Sequence, residues 1–474
     1  MNSQTARRPN KPKSTRPTRS RRYTKQTAHV EARRDGKPLI FGWGGHLSRT
    51  EKTHLQRRSI WVLASLVALA IIGTIAYAWI NLNILIPNHT ITSVNGEAIH
   101  LGDYRKMAAL QAQLHVNKIG SLTTQSDTLS KQSSDLQKTI DATNKQIDDL
   151  NKQIAGLKAD ESAKRADLEK QLNDAKTKVQ DTQKQKDALD AKNNDITANQ
   201  IPNEQQLYTQ SQVANDSADW LQQDVLIRQW ESKQNNAVRA QVEPSSSAIE
   251  QALKDFKNAI PKTDGDKYQK FLDKDRVSDQ DIRAMLGVQV RRANMQKYLA
   301  SLDKSPSYQV QARGLTLDTK DNAQKALDRL KKGEDFAKVA KEMSKDTNTN
   351  TKGGDFGWMA PGQYALDYTQ KVGGAVDNWL FDPARKVNEL SPIISDAGSF
   401  HIVQVTGIEQ SKEVDSKKLQ DLQTSALELW IVKEKARLGS KITAVDLDTI
   451  LDSSNIPSDV PSSPPSQQNP TLGG

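Results

Sequence analysis

The sequence predicts three kinds of structure in one chain: a small α+β domain toward the C-terminal end, a mainly α domain interrupted by a long coiled-coil insertion, and a single transmembrane helix. Three observations carry that prediction. Ile60–Ile80 is a run of 21 residues without a charge, about 31 Å of helix and so one bilayer core. Leu122, Leu129, Leu136, Leu150 and Leu157 recur at sevens, with Ile140, Ile147 and Ile154 interleaved, which is a heptad seam. Gly353-Gly354-Asp355-Phe356-Gly357-Trp358 is too glycine-dense for a helix or strand interior and reads as a sharp turn. Around it lie a β-like run, two short helical patterns, a further helical segment and a closing β-like run, Ser399–Val405. Together these make about 100 residues, the size of a small domain.

Composition narrows the rest. At 474 residues there is room for two or three domains, but only 35% of the chain is hydrophobic and 26% is charged. The net charge of +10 is a property of one end: residues 1–58 hold 16 Lys or Arg against Glu31, Asp35 and Glu51. With no cysteine, disulfides, Fe–S clusters, thiol catalysis and Cys-ligated zinc are excluded. The seven histidines are scattered without metal-ligand spacing, so no metal and no cofactor is expected.

Residues 1–58, rich in Arg, Lys, Ser, Thr and Pro, read as a disordered basic tail. Beside a membrane span, such a tail sets topology and attracts anionic lipid headgroups. A nucleic-acid role is disfavoured, because no aromatic or Arg pattern suggests base stacking. Phe41-Gly42-Trp43 is either an interfacial anchor or a plain linker. The span, residues 59–82, has Arg57-Arg58 before it, Trp61 at one end and Tyr77 and Trp79 at the other. It is expected to stay uncleaved, with the N-terminus cytoplasmic and everything after Asn81 outside.

Asn95-Gly96 between two alternating apolar runs predicts a β-hairpin. A helix starts near Asp103, an amphipathic helix covers Ala218–Lys233, and helix starts are signalled at Pro244-Ser245 and Ser278-Asp279. The domain so defined comprises residues 88–118 and 202–306. The insertion, 119–201, has a second and poorer seam at Leu172, Ala175, Val179, Thr182 and Leu189. Run straight, it would leave the two halves of its host domain too far apart to rejoin. A fold-back near Gly156–Ser162 brings both ends home; the competing arrangement is an intermolecular coil. Residues 409–452 contain an amphipathic helix, Leu419–Leu438, expected to pack back on the mainly α domain. Residues 453–474 read as a disordered Pro/Ser tail.

Residues 307–408, with the Gly-Gly-Asp-Phe-Gly-Trp turn followed by a closing strand that begins Ser399-Phe400-His401-Ile402, resemble the parvulin-type (PpiC) peptidyl-prolyl cis-trans isomerases. The Val94-Asn95-Gly96-Glu97 hairpin, the Leu226-Ile227-Arg228-Gln229 helix and the Val242-Glu243-Pro244-Ser245 cap resemble the chaperone domain of SurA- and PrsA-type foldases. The resemblance implies a membrane-anchored, extracytoplasmic foldase acting on unfolded or Pro-containing exported polypeptides. Two alternatives stay open: a non-catalytic holdase with a degenerate parvulin domain, and a coiled-coil cell-envelope scaffold.

Within the parvulins, the resemblance implies a pair of histidines, a nearby Cys or Asp and an apolar proline pocket. His401 falls on the closing-strand histidine and Asp346 on the Cys/Asp position. Tyr364 and Tyr368 fall on the pocket, and Phe356 on the leucine of the turn. The first strand departs from the pattern: Ala312-Arg313-Gly314-Leu315-Thr316-Leu317 has Gly314 where the family places its first histidine. His401 is thereby left without an imidazole partner. A structural strand histidine and a loop-capping aspartate are the competing readings of His401 and Asp346, and Asp355 is assigned to the turn.

Overall fold

A computed structural model describes residues 49–260, 267–368, 374–396 and 398–465. Of residues 1–58, read as disordered, 1–48 with Phe41-Gly42-Trp43 lie outside the described residues, as do 466–474 of the tail; residues 49–58 correct that reading, because they are already helical and continue into the apolar span.

One helix among them is long and apolar enough to cross a membrane. It runs Arg49–Ile80 and continues as a π-helical turn, Asn81–Leu85; its apolar part, Arg57–Leu85, is 29 residues long with none of its length buried. Trp61 is 74% exposed and Leu63 64%, which is costly in water and not in hydrocarbon.

The mainly α domain opens on a hairpin of β1 (Thr90–Val94) and β2 (Glu97–His100). Asn95 and Gly96 turn it, both at positive φ (49° and 88°), as a two-residue hairpin turn of this twist requires. A single helix, Leu101–Ala155, then serves both as a core element and as the first arm of the insertion. The chain reverses at residues 156–161 and returns through Ser162–Asp195, a π-helical turn Ile196–Gln200 and Ile201–Leu207. The insertion is thus an antiparallel hairpin within one chain. Its seam buries Leu122, Ile140, Leu150, Leu168 and Ala175. Polar layers interrupt it: Ser126 donates to Asn193 and Ser133 to Asp190, each at 2.6 Å. Such layers are tolerated in one register only, which ties the two arms to each other.

The helices Gln210–Glu231, Ser246–Ala259 and Asp279–Ala300 complete the core with Tyr104, Met107, Leu110, Leu226 and Leu286. Ser245 caps the second and Ser278, in a capping box with Asp281, the third. After the α+β domain the chain returns. Helix Ala426–Leu438 packs Leu427 and Ile431 against Ile227 and Met295. The segment beyond it runs beside β1, Thr443 N–H donating to Ser93 and Asp446 N–H to Ile91. The tail assignment for 453–474 needs correction over its described part. Ile456 and Val460 are buried and Gln210 N–H donates to the Pro461 carbonyl at 2.9 Å. Two apolar side chains four residues apart suffice to dock a segment whose average composition is polar.

The α+β domain is one antiparallel sheet in the order β4 (Asp355–Met359), β3 (Ser307–Leu317), β6 (Ser399–Lys412), β5 (Ile394–Asp396). Side chains alternate across it. Leu315, Leu317 and Ile402 face the helices Lys320–Lys331 and Phe336–Met343, which contribute Ala323, Ala326, Leu327, Phe336, Val339 and Ala340. Val310, Ala312, Val403 and Val405 face the helices Gln363–Tyr368 and Gly374–Leu380 through Tyr364, Val376 and Leu380. This second layer leans in turn on the returning helix Ala426–Leu438. Asp377, fully buried, accepts from Gly362 N–H at 2.9 Å and pairs with Lys433 at 2.9 Å. A Cβ on Gly374 would lie 2.5 Å from the Val432 carbonyl oxygen, so only glycine permits that approach.

Candidate isomerase site

The site lies on the sheet face under Gln363–Tyr368. In the β3–β6 register Gly314 opposes Val403 and Thr316 opposes His401, and His401 in turn opposes Ile394 of β5. Paired residues share a face, so Gly314, Thr316 and His401 point the same way.

His401 is 5% exposed. Its Nδ1 lies 3.2 Å from the Thr316 hydroxyl and 3.4 Å from the Tyr364 hydroxyl. Burial pushes the imidazole below its ordinary value, with Asp396 and Asp346 pulling the other way. That balance favours the neutral ring. Thr316 and Tyr364 are thus the groups that face Nδ1 of His401.

Tyr364 is 2% exposed. Its ring meets His401 edge-on at 6.4 Å and Phe356 at 5.3 Å between centroids. Phe356 is half-buried and explains Gly314: a Cβ there would come 2.4 Å from Phe356 Cζ, 2.7 Å from Cε2 and 3.0 Å from Val403 Cγ1. The position of the absent histidine is therefore not vacant; the larger aromatic ring of the turn fills it. The turn also closes onto Gly314 by backbone. Gly314 N–H donates to the Gly354 carbonyl at 2.8 Å, and a Cβ on Gly354 would lie 2.4 Å from the Gly314 oxygen. Gly353, Gly354 and Gly357 all sit at positive φ, and Asp355 Oδ1 accepts from Gly357 N–H at 2.9 Å. Asp355 does serve the turn.

Asp346 is held near the site by its loop, because Lys345 N–H donates to the Thr316 carbonyl at 2.7 Å. Its carboxylate is engaged in the loop: Oδ1 accepts from Asn348 N–H at 3.0 Å and Oδ2 from the Thr349 hydroxyl. It caps the loop and reaches His401 only through its charge. Tyr368 ends the helix one turn beyond Tyr364, and its side chain lies outside the described residues. The structure brings Phe356, Tyr364 and His401 of the sequence-derived candidates into one cluster, and it adds Thr316, which sequence reasoning missed. Thr316 was findable, since a strand of period 2 puts it on the face of Gly314.

Residues 309–409 match the family described as "PPIC-type PPIASE domain". Over 196 residues the chain is 24% identical to a "Foldase protein PrsA" of Halalkalibacterium halodurans, covering 40% of this chain and 53% of that protein. It is 33% identical over 95 residues to a "Chaperone SurA" of Alkalilimnicola ehrlichii, covering 20% of this chain and 19% of the relative. The chain thus spans about half the length, or less, of these curated relatives. Among solved structures, peptidylprolyl isomerase (PrsA) from Bacillus anthracis aligns over 46% of this chain and 93% of its own, at 18% identity and a TM-score of 0.22.

Proposed function

We propose that this chain, which carries a PpiC-type isomerase domain of the parvulin kind, is a membrane-anchored foldase that isomerises X-Pro bonds in unfolded exported polypeptides. The reading rests above all on the cluster of half-buried Phe356 with buried Tyr364 and His401, on the sheet face that the family's pattern assigns to the reaction.

Rotation about an X-Pro amide meets a barrier of about 18–20 kcal/mol, because the planar form is resonance-stabilised and its oxygen is solvated. The twisted form has lost that resonance and carries less charge on oxygen. A surface that takes the proline ring against aromatic carbon and sheds water favours the twisted form over the planar one. Phe356 supplies the aromatic carbon. Tyr364 behind it is fixed in orientation by His401, and His401 by Thr316. His401 is accordingly a positioning residue in this proposal, and Asp346 tunes the local field.

The topology follows from the uncharged span after Arg57-Arg58: residues 1–58 cytoplasmic and near anionic lipid headgroups, the folded domains extracytoplasmic. The same proposal makes residues 88–118 and 202–306 a chaperone domain completed by 409–452.

A second reading has its own observation. Phe356 occupies the place of the first family histidine, which suits a binding module that cradles proline without turning it over. Refolding of a proline-limited protein separates the two. The full chain in nanodiscs should accelerate the slow phase, and a Thr316→Val/Tyr364→Phe variant should lose roughly 10²–10³ of that acceleration. Suppressed aggregation with an unchanged slow phase would select the holdase.

A further inference from the structure

The chain leaves the apolar span without a linker. Ile60–Ile80 is about 31 Å of helix and fills one hydrocarbon core. Asn81–Leu85 continues it as a π-helical turn, and from Ala78 onward the chain forms one compact unit. Backbone bonds carry on through the exit: Ile86 N–H donates to the Asn81 carbonyl at 2.9 Å, Asn88 N–H to Ile84 at 3.2 Å and His89 N–H to Ile86 at 3.1 Å. The same segment is fastened to the mainly α domain. Leu101 N–H donates to the His89 carbonyl and Gly102 N–H to the Pro87 carbonyl, both at 2.8 Å, and Ile86 packs against the core. A Cβ on Gly102 would lie 3.2 Å from Pro87 Cβ and from the Pro87 oxygen, so glycine is what permits that approach. A span joined in this way keeps one surface of the domain beside the bilayer.

His89 locates that surface. Its Nε2 lies 3.1 Å from Asp446 Oδ2, and Asp446 caps the single turn Leu447–Ile450 by accepting from Thr449 N–H at 3.1 Å. Leu447 therefore begins within side-chain reach of a residue four positions past the span's end at Leu85, a distance of at most about 14 Å of chain. Beyond Leu85, five large apolar side chains of described residues stay exposed: Leu207, Leu302, Val387, Leu447 and Leu451. Only Leu447 (53%) and Leu451 (44%) stand one helical turn apart on one face. Ile450 between them is fully buried, and its carbonyl accepts from the Tyr104 hydroxyl at 2.8 Å, so the turn is anchored with its two leucines outward. Asp448 and Asp452 are exposed beside them. What this face offers a bilayer is hydrocarbon and not positive charge.

We propose that Leu447 and Leu451 insert into the interfacial layer of the bilayer that the span crosses, a second membrane contact that fixes the orientation of the folded domains. The occupant is lipid, because the patch is continuous with the exit of the span and the interfacial layer on each side is about 5–8 Å thick. Apolar side chains that dip into this layer bind by the area they bury there. Two leucines suffice, since the span already holds the surface at high effective concentration. The proposal rests on the membrane-anchored reading and adds to it the face that the protein turns to the lipid.

The chain has no cysteine, so one introduced thiol carries one fluorophore. The label NBD is attached at Leu447→Cys, at Leu451→Cys, at Val387→Cys as an exposed position of the α+β domain, and at Leu69→Cys within the span, each in the full chain in phosphatidylcholine nanodiscs. Doxyl-labelled lipid should quench the label at 447, 451 and 69, with blue-shifted emission, and aqueous iodide should quench it at 387 alone. Adding Leu447→Ser to Leu451→Cys should lower the ratio of lipid-engaged to free label about fivefold, the worth of half a leucine side chain leaving an apolar phase. Iodide quenching at 447 and 451 equal to that at 387, with lipid quenching kept at 69, would overturn the contact and leave the anchor standing. Protection from iodide without quenching by lipid would overturn it too, and would show that protein covers the patch. Loss of lipid quenching at 69 would remove the anchor and the contact together.

Discussion

Gly314 and Phe356 should behave as a compensating pair, and a double-mutant cycle measures it. Gly314→His alone places a Cβ 2.4 Å from the Phe356 ring. Overpacking of this kind costs about 1–3 kcal/mol, while removing a strand glycine returns about 0.5–1 kcal/mol. The single variant should therefore lose about 1–2 kcal/mol and gain no activity. Phe356→Leu alone opens space beside Gly314 and Tyr364 and should lose about 1–2 kcal/mol. Combined, the two restore the family's own residues and the clash disappears. The double variant should come back to within about 1 kcal/mol of wild type, a coupling energy of about 2 kcal/mol. Local opening is the proper readout, since a chain of several domains does not unfold in two states. Hydrogen exchange across 307–317, where Gly314 N–H is bonded to Gly354, reports it directly. A double variant whose loss equals the sum of the two singles would refute the account of why this chain lacks the histidine.

Other perturbations follow from the same contacts. Lys433→Met should leave Asp377 buried without its cation at a cost of about 3–5 kcal/mol, seen as faster proteolysis around 302–307 with the rest of the mainly α domain intact. Asp275 is pushed up to about 6 by burial, from an ordinary 3.8. Its stabilising share is thus full below about pH 4 and lost as pH rises through about 6, so Asp275→Asn should raise the melting temperature at pH 8 and leave it unchanged at pH 3. Replacing Gln125–Asn194 by a short Gly-Ser loop removes both polar layers together and should leave oligomeric state and isomerase-domain exchange unchanged; conversion of an oligomer to a monomer would show that the hairpin also pairs between chains.

What was legible in the sequence was what is written in local periodicity. The 122–157 seam, the Asn95-Gly96 turn and the Ser278 cap each depend on residues within a few positions of one another. The Gly-rich turn and the closing strand were legible as a pattern, and with them Phe356, Tyr364 and His401. What escaped depends on register and on distant pairing. Thr316 meets His401 across 85 residues, and Lys433 meets Asp377 between domains. Phe356 fills the space over Gly314 only because the turn folds back onto β3. Ile456 and Val460 were hidden by the Pro and Ser around them, since composition averages away two anchors.

The most direct test of the isomerase account is the cis–trans exchange rate of a short X-Pro peptide, measured by NMR exchange spectroscopy with catalytic amounts of the full chain in nanodiscs. The account predicts exchange above the uncatalysed rate, abolished by Phe356→Ala and strongly reduced by His401→Ala, with peptide binding largely kept in the latter. Exchange indistinguishable from the uncatalysed rate, or equal in wild type and both variants, would contradict it.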